Sequence, residues 1–346
     1  MILFIAYERD ATQLLQSYWL SAVAVISGGF VVYTCTRVLI ERENGMADIL
    51  HRIRGPLHSD DRRLIAVVRE HFLIPPSLLP YNLAKPQDLG YHEYSKGDSW
   101  NIIHTYLKTL FTNEPPGFFV EAGALDGEFL SNTLWLEQSH GWTGLLIEPD
   151  EASFFHLQNK QRKSWLIDAC LSHDIFPEEV VHVTRTAREG KESVGIPWYT
   201  RGSAHELNVD VEPETSVFAL LSEETYSVAQ CFPLETLLLA LNVSTVDFLS
   251  LDIQGREKDV LRTVPFSKIK IRVIAVEIVE SSVDQSFIDF MEGNGYVLLN
   301  KDTLPLIRDH IYVRRDEAIL HQKLKHFVFS FKSFNRKSLA FNYEKR

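Results

Sequence analysis

The spacing of apolar residues changes along the chain, and this pattern predicts the order of strands and helices. Beyond residue 98, short apolar runs alternate with segments in which apolar residues recur every three or four positions. The first pattern is typical of buried strands and the second of helices that cover a sheet. Strands are predicted near 118–122, 143–148, 164–168, 246–251, 271–277, 295–300 and 307–313, and helices near 99–112, 131–139, 151–161, 233–241, 256–262 and 284–293. This alternation predicts an α/β fold with a mostly parallel seven-stranded sheet covered on both faces.

The N-terminal region contains a long apolar stretch. Residues 11–36 carry no charge, and roughly 20 apolar residues cross a bilayer as a helix. Tyr18, Trp19 and Tyr33 lie near the ends of the stretch, where interfacial aromatic residues are common. We predict a transmembrane helix over residues 17–39, through which the chain contacts the membrane. A cleaved signal peptide and a buried helix of a soluble protein are the alternatives.

The chain is expected to have five segments. They are a short N-terminal segment (1–16), the transmembrane helix (17–39), a stem and lead-in with a helix near 60–73 (40–98), the α/β domain (99–313) and a basic aromatic tail (314–346). Within the domain, residues 186–215 are polar and predict a long surface excursion. The tail has nine Lys or Arg and three acids. It either binds a membrane surface or partner, or it packs on the domain as a last strand and helix.

Composition and charge limit the classes of function. The formal net charge is -11, which argues against a nucleic-acid partner because such proteins carry a basic face. The three cysteines, Cys35, Cys170 and Cys231, have spacings that match no metal site, and they neither demand nor exclude an oxidising compartment. The sequence contains no GxSxG elbow, no HExxH motif and no P-loop lysine, so no metal site is predicted.

The stretch FFVEAGALDGEFLSNT, residues 118–133, reads as a buried strand, a glycine loop and the start of a helix. Strand, glycine turn and helix are how α/β proteins build nucleotide sites. Three further acids end three later strands: Glu148 in GWTGLLIEPD, Asp168 in SWLIDACLS and Asp252 in VDFLSLDIQG. Because open parallel sheets bind ligands outside the carboxyl ends of their strands, we expect these acids to line a nucleoside site.

Each acid also has a simpler interpretation. Glu121 would hold the loop or cap the following helix, Glu148 would belong to a turn before a proline, Asp168 would be a solvated strand end, and Asp252 would cap the next helix. Singly, each simpler interpretation is preferred. Four acids at successive strand ends, one beside a glycine loop, favour the ligand site.

The spans FVEAGALDGEFLSNTLWLEQSHGWTGLLIEP and VDFLSLDIQGREKDVL resemble the FkbM-type methyltransferase family, which has the S-adenosylmethionine-dependent Rossmann-like fold. The resemblance extends more loosely over residues 80–313. It implies S-adenosylmethionine as the cofactor, with Glu148 binding the ribose and Asp252 as the catalytic residue facing methyl transfer. Further cofactor-binding residues implied are Glu121, Gly123, Ala124, Asp126 and Gly127 in the methionine-side loop, and Asp168 and Ala169 beside the adenine.

Two positions depart from the family pattern on the catalytic side. Gln254 stands where the family usually has an acid, and Glu277 is followed by Ile278 and Val279 instead of His-Asn-Gly. These departures weigh against methyl transfer more than against the fold or the cofactor. They favour a trafficking protein built on this fold as the predicted function, and they leave an active methyltransferase and a tethered structural domain as the alternatives.

Within the family the chain is most similar to Star-like membrane proteins. That similarity implies a single-pass protein of the secretory pathway, in the endoplasmic reticulum, Golgi or endosome, which transports transmembrane growth-factor precursors. It also implies a lumenal domain, whereas Arg37, Arg42, Arg52 and Arg54 opposite Arg9 give a slight bias towards the cytosol. Asn242 begins an N-x-S sequon and is a predicted glycosylation site.

Overall fold

The computed structural model describes residues 57–84, 99–187, 201–206, 222–278, 284–300 and 309–325. The chain divides into two compact units, Met1–Arg54 and Gly55–Arg346, and every described residue belongs to the second. Among the described residues, no helix combines the length and the apolar character that a bilayer span requires. The transmembrane helix predicted at 17–39 lies outside these residues.

Strands and helices alternate through the described ranges. The strands are β1 (Leu73–Ile74), β2 (Phe118–Ala122), β3 (Thr143–Ile147), β4 (Trp165–Ile167), β5 (Cys170–Leu171), β6 (Glu178–Ala187), β7 (Arg201–Glu206), β8 (Ser222–Phe232), β9 (Thr245–Leu251), β10 (Lys270–Glu277), β11 (Tyr296–Leu298) and β12 (Asp309–Arg314). The main helices are α1 (Arg62–Val67), α2 (Ser99–Phe111), α3 (Leu134–His140), α4 (Glu151–Asn159), α5 (Leu234–Ala240), α6 (Glu257–Thr263) and α7 (Gln285–Gly293).

Eight strands form the main sheet in the order β1-β4-β3-β2-β9-β10-β12-β11. The five central strands, β4 to β10 in that order, run parallel to one another, and β12 runs antiparallel to both of its neighbours. The last four residues of β2, of β3 and of β9 are all buried, as expected for a parallel sheet that is covered on both sides. Each strand and helix predicted between residues 99 and 313 is present, with its ends shifted by up to three residues.

The lead-in before the domain adds an eighth strand to the predicted seven. The predicted helix near 60–73 is confirmed as α1, which continues as a π-helical turn over Val68–Phe72. The two residues of β1 then pair antiparallel with β4. Arg69 donates hydrogen bonds from its guanidinium to the carbonyls of Leu239 and Ala240, at the end of α5. Residues 57–84 are therefore part of the folded unit.

A second sheet of four strands, in the order β5-β8-β6-β7, is inserted between β4 and α5. The polar excursion predicted over 186–215 is wrong for residues 186–187, which end β6, and for Arg201–Glu206, which pairs antiparallel with β6. Residues 188–200 and 207–215 lie outside the described ranges. The error arose because β6 and β8 carry many charged residues on partly exposed strands, so that they lack the apolar runs of the central strands.

The last described residues pack on the domain. Leu320 and Leu324, in the helical residues 318–325, are buried in the main core. Lys323 donates hydrogen bonds to the carbonyl of Leu110 and to the Glu114 carboxylate. The alternative that the tail packs on the domain is confirmed for this part, and residues 326–346 lie outside the described ranges.

Candidate functional site

The register of the parallel strands brings the predicted acids to one edge of the sheet. The last residue of β2, Ala122, pairs with Ile147 on one side and with Leu251 on the other. Ile147 pairs in turn with Ile167, and Leu251 with Val276. The residues that follow these strand ends, namely Gly123, Glu148, Asp168, Asp252 and the last residue of β10, Glu277, therefore lie along a single edge, as the sequence predicts.

The glycine loop packs closely between two neighbouring strands. Gly123 has φ +80°, and both Gly123 and Ala124 donate their N–H to the carbonyl of Ile147, at 3.0 and 3.1 Å. A Cβ on Gly123 would lie 3.0 Å from the carbonyl carbon of Asp252 and even closer to its oxygen. A Cβ on Gly127, at φ +75°, would collide with the Leu157 side chain. Glycine is needed at Gly123 for conformation and for close approach to the backbone, and at Gly127 for conformation, since the end of the Leu157 side chain can move.

Glu121 and Asp126 hold the loop from inside. The buried Glu121 carboxylate accepts hydrogen bonds from the Ser131 hydroxyl (2.8 Å), the Asn132 N–H (2.7 Å) and the Thr133 hydroxyl (2.5 Å). Burial raises the pKa of Glu121, and the nearby Arg162 charge opposes that shift. Asp126 accepts from the N–H groups of Glu128 and Phe129 and lies 3.3 Å from the Lys160 ammonium. These contacts support the simpler interpretation for Glu121, and direct cofactor contacts by both acids stay predictions.

A second, buried charge supports the same loop. The Arg162 guanidinium donates to the Glu137 carboxylate at 3.1 Å, and both side chains are fully buried. It also donates to the Gly127 carbonyl and, at 3.1 Å, to the Thr133 hydroxyl. This network was not predicted from the sequence, since the lone arginine before β4 carries no motif.

Glu148 has the environment expected of a hydroxyl-binding carboxylate. It is buried, and each oxygen accepts one backbone N–H, from Leu125 at 2.7 Å and from Asp150 at 2.9 Å. Burial raises the pKa of Glu148 to about 7, with the two backbone donors opposing and the charges of Asp150 and Asp168 adding to the rise. A carboxylate has about four lone-pair sites, so the two bonds leave acceptor capacity for a ligand.

Asp168 and Ala169 lie at the end of β4, beside the second sheet. The Asp168 side chain is exposed and Ala169 is buried. Partial burial, followed by repulsion from Glu151 and Asp150, raises the pKa of Asp168. The next residue, Cys170, forms a disulfide with Cys231. Cysteine spacing alone offered no basis for this pairing, and the bond places the second sheet next to the predicted adenine side.

At the other end of the edge, one amide group joins two carboxylates. Gln254, at φ +60°, donates from Nε2 to Asp252 at 2.6 Å and to Glu277 at 2.9 Å. Asp252 is exposed. Partial removal of its carboxyl group from water, followed by repulsion from Glu277 and Asp309, raises the pKa of Asp252 above its usual range. Gln254, which departs from the family pattern, thus lies between Asp252 and Glu277 on the predicted catalytic side.

The next turn is fixed by another acid. The Glu257 carboxylate, at the start of α6, accepts from the N–H groups of Ile253 and Gly255, each at 3.0 Å. The cap position of α6 is Arg256, which makes no side-chain cap hydrogen bond, so Asp252, four residues earlier, is not the predicted helix cap. Among the described residues, no group of three or more His, Cys, Asp or Glu is arranged to hold a metal ion.

Comparisons with known proteins place this site in a family. Residues 121–298, just over half of the chain, match the model of the methyltransferase FkbM domain. No curated protein matches the chain, so the similarity to Star-like proteins stays a prediction.

Solved structures give weaker similarity. A precorrin-6y C5,15-methyltransferase from Geobacter metallireducens is 11% identical with a TM-score of 0.30, covering 62% of this chain and 85% of its own. The METTL16 methyltransferase domain is 12% identical with a TM-score of 0.30, covering 73% and 78%. A class I S-adenosylmethionine-dependent methyltransferase from Listeria monocytogenes, described as putative in its name, is 9% identical with a TM-score of 0.29, covering 66% of each chain. The assignment rests instead on the family match, and by that match the chain belongs to the FkbM methyltransferase domain family.

Proposed function

We propose that the carboxyl edge of the main sheet binds S-adenosylmethionine and that the domain transfers its methyl group to an acceptor. The observation that carries the proposal is the row of acids at neighbouring strand ends, Glu148, Asp168 and Asp252, beside a glycine loop that packs on β9. Membership of the FkbM family makes S-adenosylmethionine the candidate cofactor.

The residues of the edge fit the parts of that cofactor. Glu148 has acceptor capacity left for two neighbouring ribose hydroxyls, and its position is fixed by the N–H groups of Leu125 and Asp150. The exposed carboxylate of Asp168 suits an adenine amino group, with Ala169 beside the ring. Gly123 and Ala124 form the loop on the methionine side.

The charged residues of the glycine loop favour S-adenosylmethionine over a dinucleotide, which carries phosphate. Dinucleotide sites place a pyrophosphate at the start of the helix after the first strand. Here the loop between β2 and α3 carries the acids Asp126 and Glu128, which both pair with the Lys160 ammonium, and residues 123–133 include no Lys or Arg. The loop thus offers a phosphate no cation of its own, whereas S-adenosylmethionine has no phosphate and supplies an electrophilic methyl group on a cationic sulfonium.

Asp252 is the residue assigned to the acceptor. A carboxylate there orients a hydroxyl or amine acceptor and takes its proton, while Gln254 fixes the carboxylate against Glu277. Asp252→Asn is expected to lower methyl transfer at least about a hundredfold and to leave cofactor affinity within about threefold, measured by turnover and by calorimetry. An equal loss of both would remove the catalytic role.

Calorimetric titration of S-adenosylmethionine into the full chain in detergent tests the cofactor site. The wild type is expected to bind one equivalent, and Glu148→Ala is expected to weaken binding at least tenfold because it removes the ribose acceptor. Glu292→Ala is the matched control, since Glu292 is an exposed acid at the far end of α7. Absence of binding to a folded wild type would overturn the proposal.

A second candidate function is the transport of transmembrane growth-factor precursors in the secretory pathway, with the chain anchored through residues 17–39 and the domain in the lumen. One specific observation favours it: the Cys170–Cys231 disulfide, since such bonds persist mainly in oxidising compartments. The bridging of Asp252 and Glu277 by Gln254 is also compatible with a domain that has kept the fold without turnover.

Glycosylation of Asn242 tests the lumenal location. Asn242 is exposed and precedes β9, whereas Asp252 follows the other end of the same strand, so a glycan would not cover the cofactor edge. Endoglycosidase is expected to increase the mobility of the wild type and not that of Asn242→Gln. The transport role is tested by measuring delivery of a growth-factor precursor to the cell surface in cells that lack the protein. Re-expression of the wild type is expected to rescue delivery, and failure of rescue counts against this role.

A further inference from the structure

The disulfide lies at the joint between the two sheets. Cys170 and Cys231 are directly paired residues of β5 and β8, and the parallel pairing between these strands is only two residues long. Both cysteines are buried, with 7% and 1% of their surface exposed. Cys170 follows Ala169, and Cys231 lies near the end of the strand that leads into α5. The bond therefore crosslinks two strands of the second sheet, next to the two residues, Asp168 and Ala169, that connect β5 to the end of β4.

The second sheet also contacts the ribose side of the edge. The Thr184 hydroxyl, on β6, donates to Oδ1 of Asp150 at 2.8 Å. Asp150 donates its N–H to Glu148 at 2.9 Å and accepts from the Ser153 N–H at the start of α4. A chain of contacts thus runs from β6 through Asp150 to the carboxylate that we assign to the ribose.

The position of the second sheet determines both its connection to Asp168 and Ala169 and the hydrogen bond from Thr184 to Asp150. Its strand β6 pairs with β8 over ten residues and with β7 over six, so the sheet moves as a unit. Loss of the covalent link leaves only non-covalent contacts to hold its base, namely the two-residue pairing of β5 with β8, the bond from the Ser172 N–H to the Phe232 carbonyl, and the bonds from Ser172 and His173 to Glu178. Movement there displaces Asp168 and Ala169 directly, and it displaces Glu148 through Thr184 and Asp150.

We propose that the Cys170–Cys231 disulfide positions the second sheet against the adenine and ribose residues, so that tight cofactor binding requires the oxidised protein. This inference rests on the proposed cofactor site and adds a redox dependence to it. The reductant is a dithiol. Its thiolate attacks one sulfur and breaks the protein S–S bond, and its second thiol then resolves the mixed disulfide. Two electrons and two protons pass to the protein, which is left with two thiols, and the dithiol becomes a cyclic disulfide.

The test compares three forms of the full chain in detergent: oxidised wild type, wild type reduced with excess dithiothreitol, and Cys170→Ala/Cys231→Ala. Alkylation followed by mass measurement confirms the two new thiols in the reduced form. S-adenosylmethionine is titrated into each form by calorimetry, and Cys35→Ala is the matched control because it removes a cysteine outside the bond. We expect affinity to fall at least tenfold in the reduced and doubly substituted forms and to stay within twofold in the control.

A second measurement does not need the cofactor. Amide hydrogen exchange follows the N–H groups of Leu125 and Asp150, which donate to Glu148, with the Phe118 N–H at the other end of β2 as the internal reference. Reduction is expected to speed exchange of the first two at least tenfold and to leave the reference unchanged. If oxidised wild type binds no S-adenosylmethionine, the proposed function fails and the redox dependence of binding fails with it, and exchange then tests only whether the disulfide positions the second sheet. Equal affinity with unchanged exchange overturns the inference and leaves the proposed function intact.

Discussion

The glycine loop provides a direct test of how the edge is built, through Gly123→Ala. A Cβ at this position would press into the backbone carbonyl of Asp252, 3.0 Å from its carbon and closer to its oxygen. That carbonyl cannot easily move, because the Asp252 N–H is bonded to the Ala122 carbonyl and β9 is paired on both sides. The loop cannot easily move either, since the Gly123 N–H is bonded to Ile147.

Two costs add in this variant. Alanine at φ +80° costs about 1–2 kcal/mol of backbone strain, and overpacking against fixed atoms costs about 1–3 kcal/mol. Gly123→Ala should therefore lower the free energy of unfolding by about 2–5 kcal/mol. Gly295→Ala separates the two costs, since Gly295 has φ +88° and no heavy atom lies within 4 Å of the place that an added methyl group would take. It should lose only the strain, about 1–2 kcal/mol.

Urea unfolding of both variants measures these free energies, and calorimetry measures their affinity for S-adenosylmethionine. Gly123→Ala is expected to lose both stability and affinity, and Gly295→Ala to lose stability alone. Equal destabilisation of the two variants, with cofactor affinity retained in Gly123→Ala, would refute the close packing of the loop against β9.

Three further predictions concern buried charge and the disulfide. The pKa of Glu148 rises from 4.5 to about 7 on folding, so its stabilising contribution is present below pH 4.5 and lost as pH rises through 7. A shift of one pKa unit corresponds to about 1.4 kcal/mol. The free energy of unfolding of the wild type, taken relative to that of Glu148→Gln, should therefore fall by about 3 kcal/mol between about pH 4.5 and 8. A difference that does not vary with pH contradicts this. Cys170→Ala/Cys231→Ala opens a loop with a sequence separation of 61 and should cost about 4 kcal/mol in urea unfolding, whereas a loss under about 1 kcal/mol would contradict the constraint. Arg162→Leu leaves the buried Glu137 with hydrogen bonds from the Lys163 N–H and the Ser164 hydroxyl but without the Arg162 charge, and it should cost about 3–5 kcal/mol. Arg162→Leu/Glu137→Leu should restore part of this loss, and no restoration would contradict the pairing.

The central sheet could be predicted because its strands are buried on both faces. Short apolar runs such as FFVEA and TGLLI, which alternate with helical segments, are hard to assign to anything other than buried strands. The first strand, Leu73–Ile74, could not be predicted, because two residues carry no pattern and their partners, Leu166 and Ile167, lie far along the chain on β4. The inserted strands β6 and β8 were missed because exposed positions along them carry charge.

The site could be predicted to the level of which residues share the edge. Parallel strands bring their carboxyl ends together, so Glu148, Asp168 and Asp252 could be placed side by side. What each side chain contacts depends on tertiary geometry that spacing does not contain. Glu121 binds its own loop through hydroxyl and amide donors ten to twelve residues later, and Gln254 reaches Glu277 from a left-handed backbone position.

The most direct test of the cofactor site is a crystal structure of the protein with S-adenosylhomocysteine, the demethylated form of the cofactor. We predict both ribose hydroxyls within hydrogen-bonding distance of the Glu148 carboxylate, the adenine beside Asp168 and Ala169, and the sulfur towards Asp252. Density for the ligand elsewhere, or none at this edge at saturating concentration, would contradict the assignment of this edge to the cofactor.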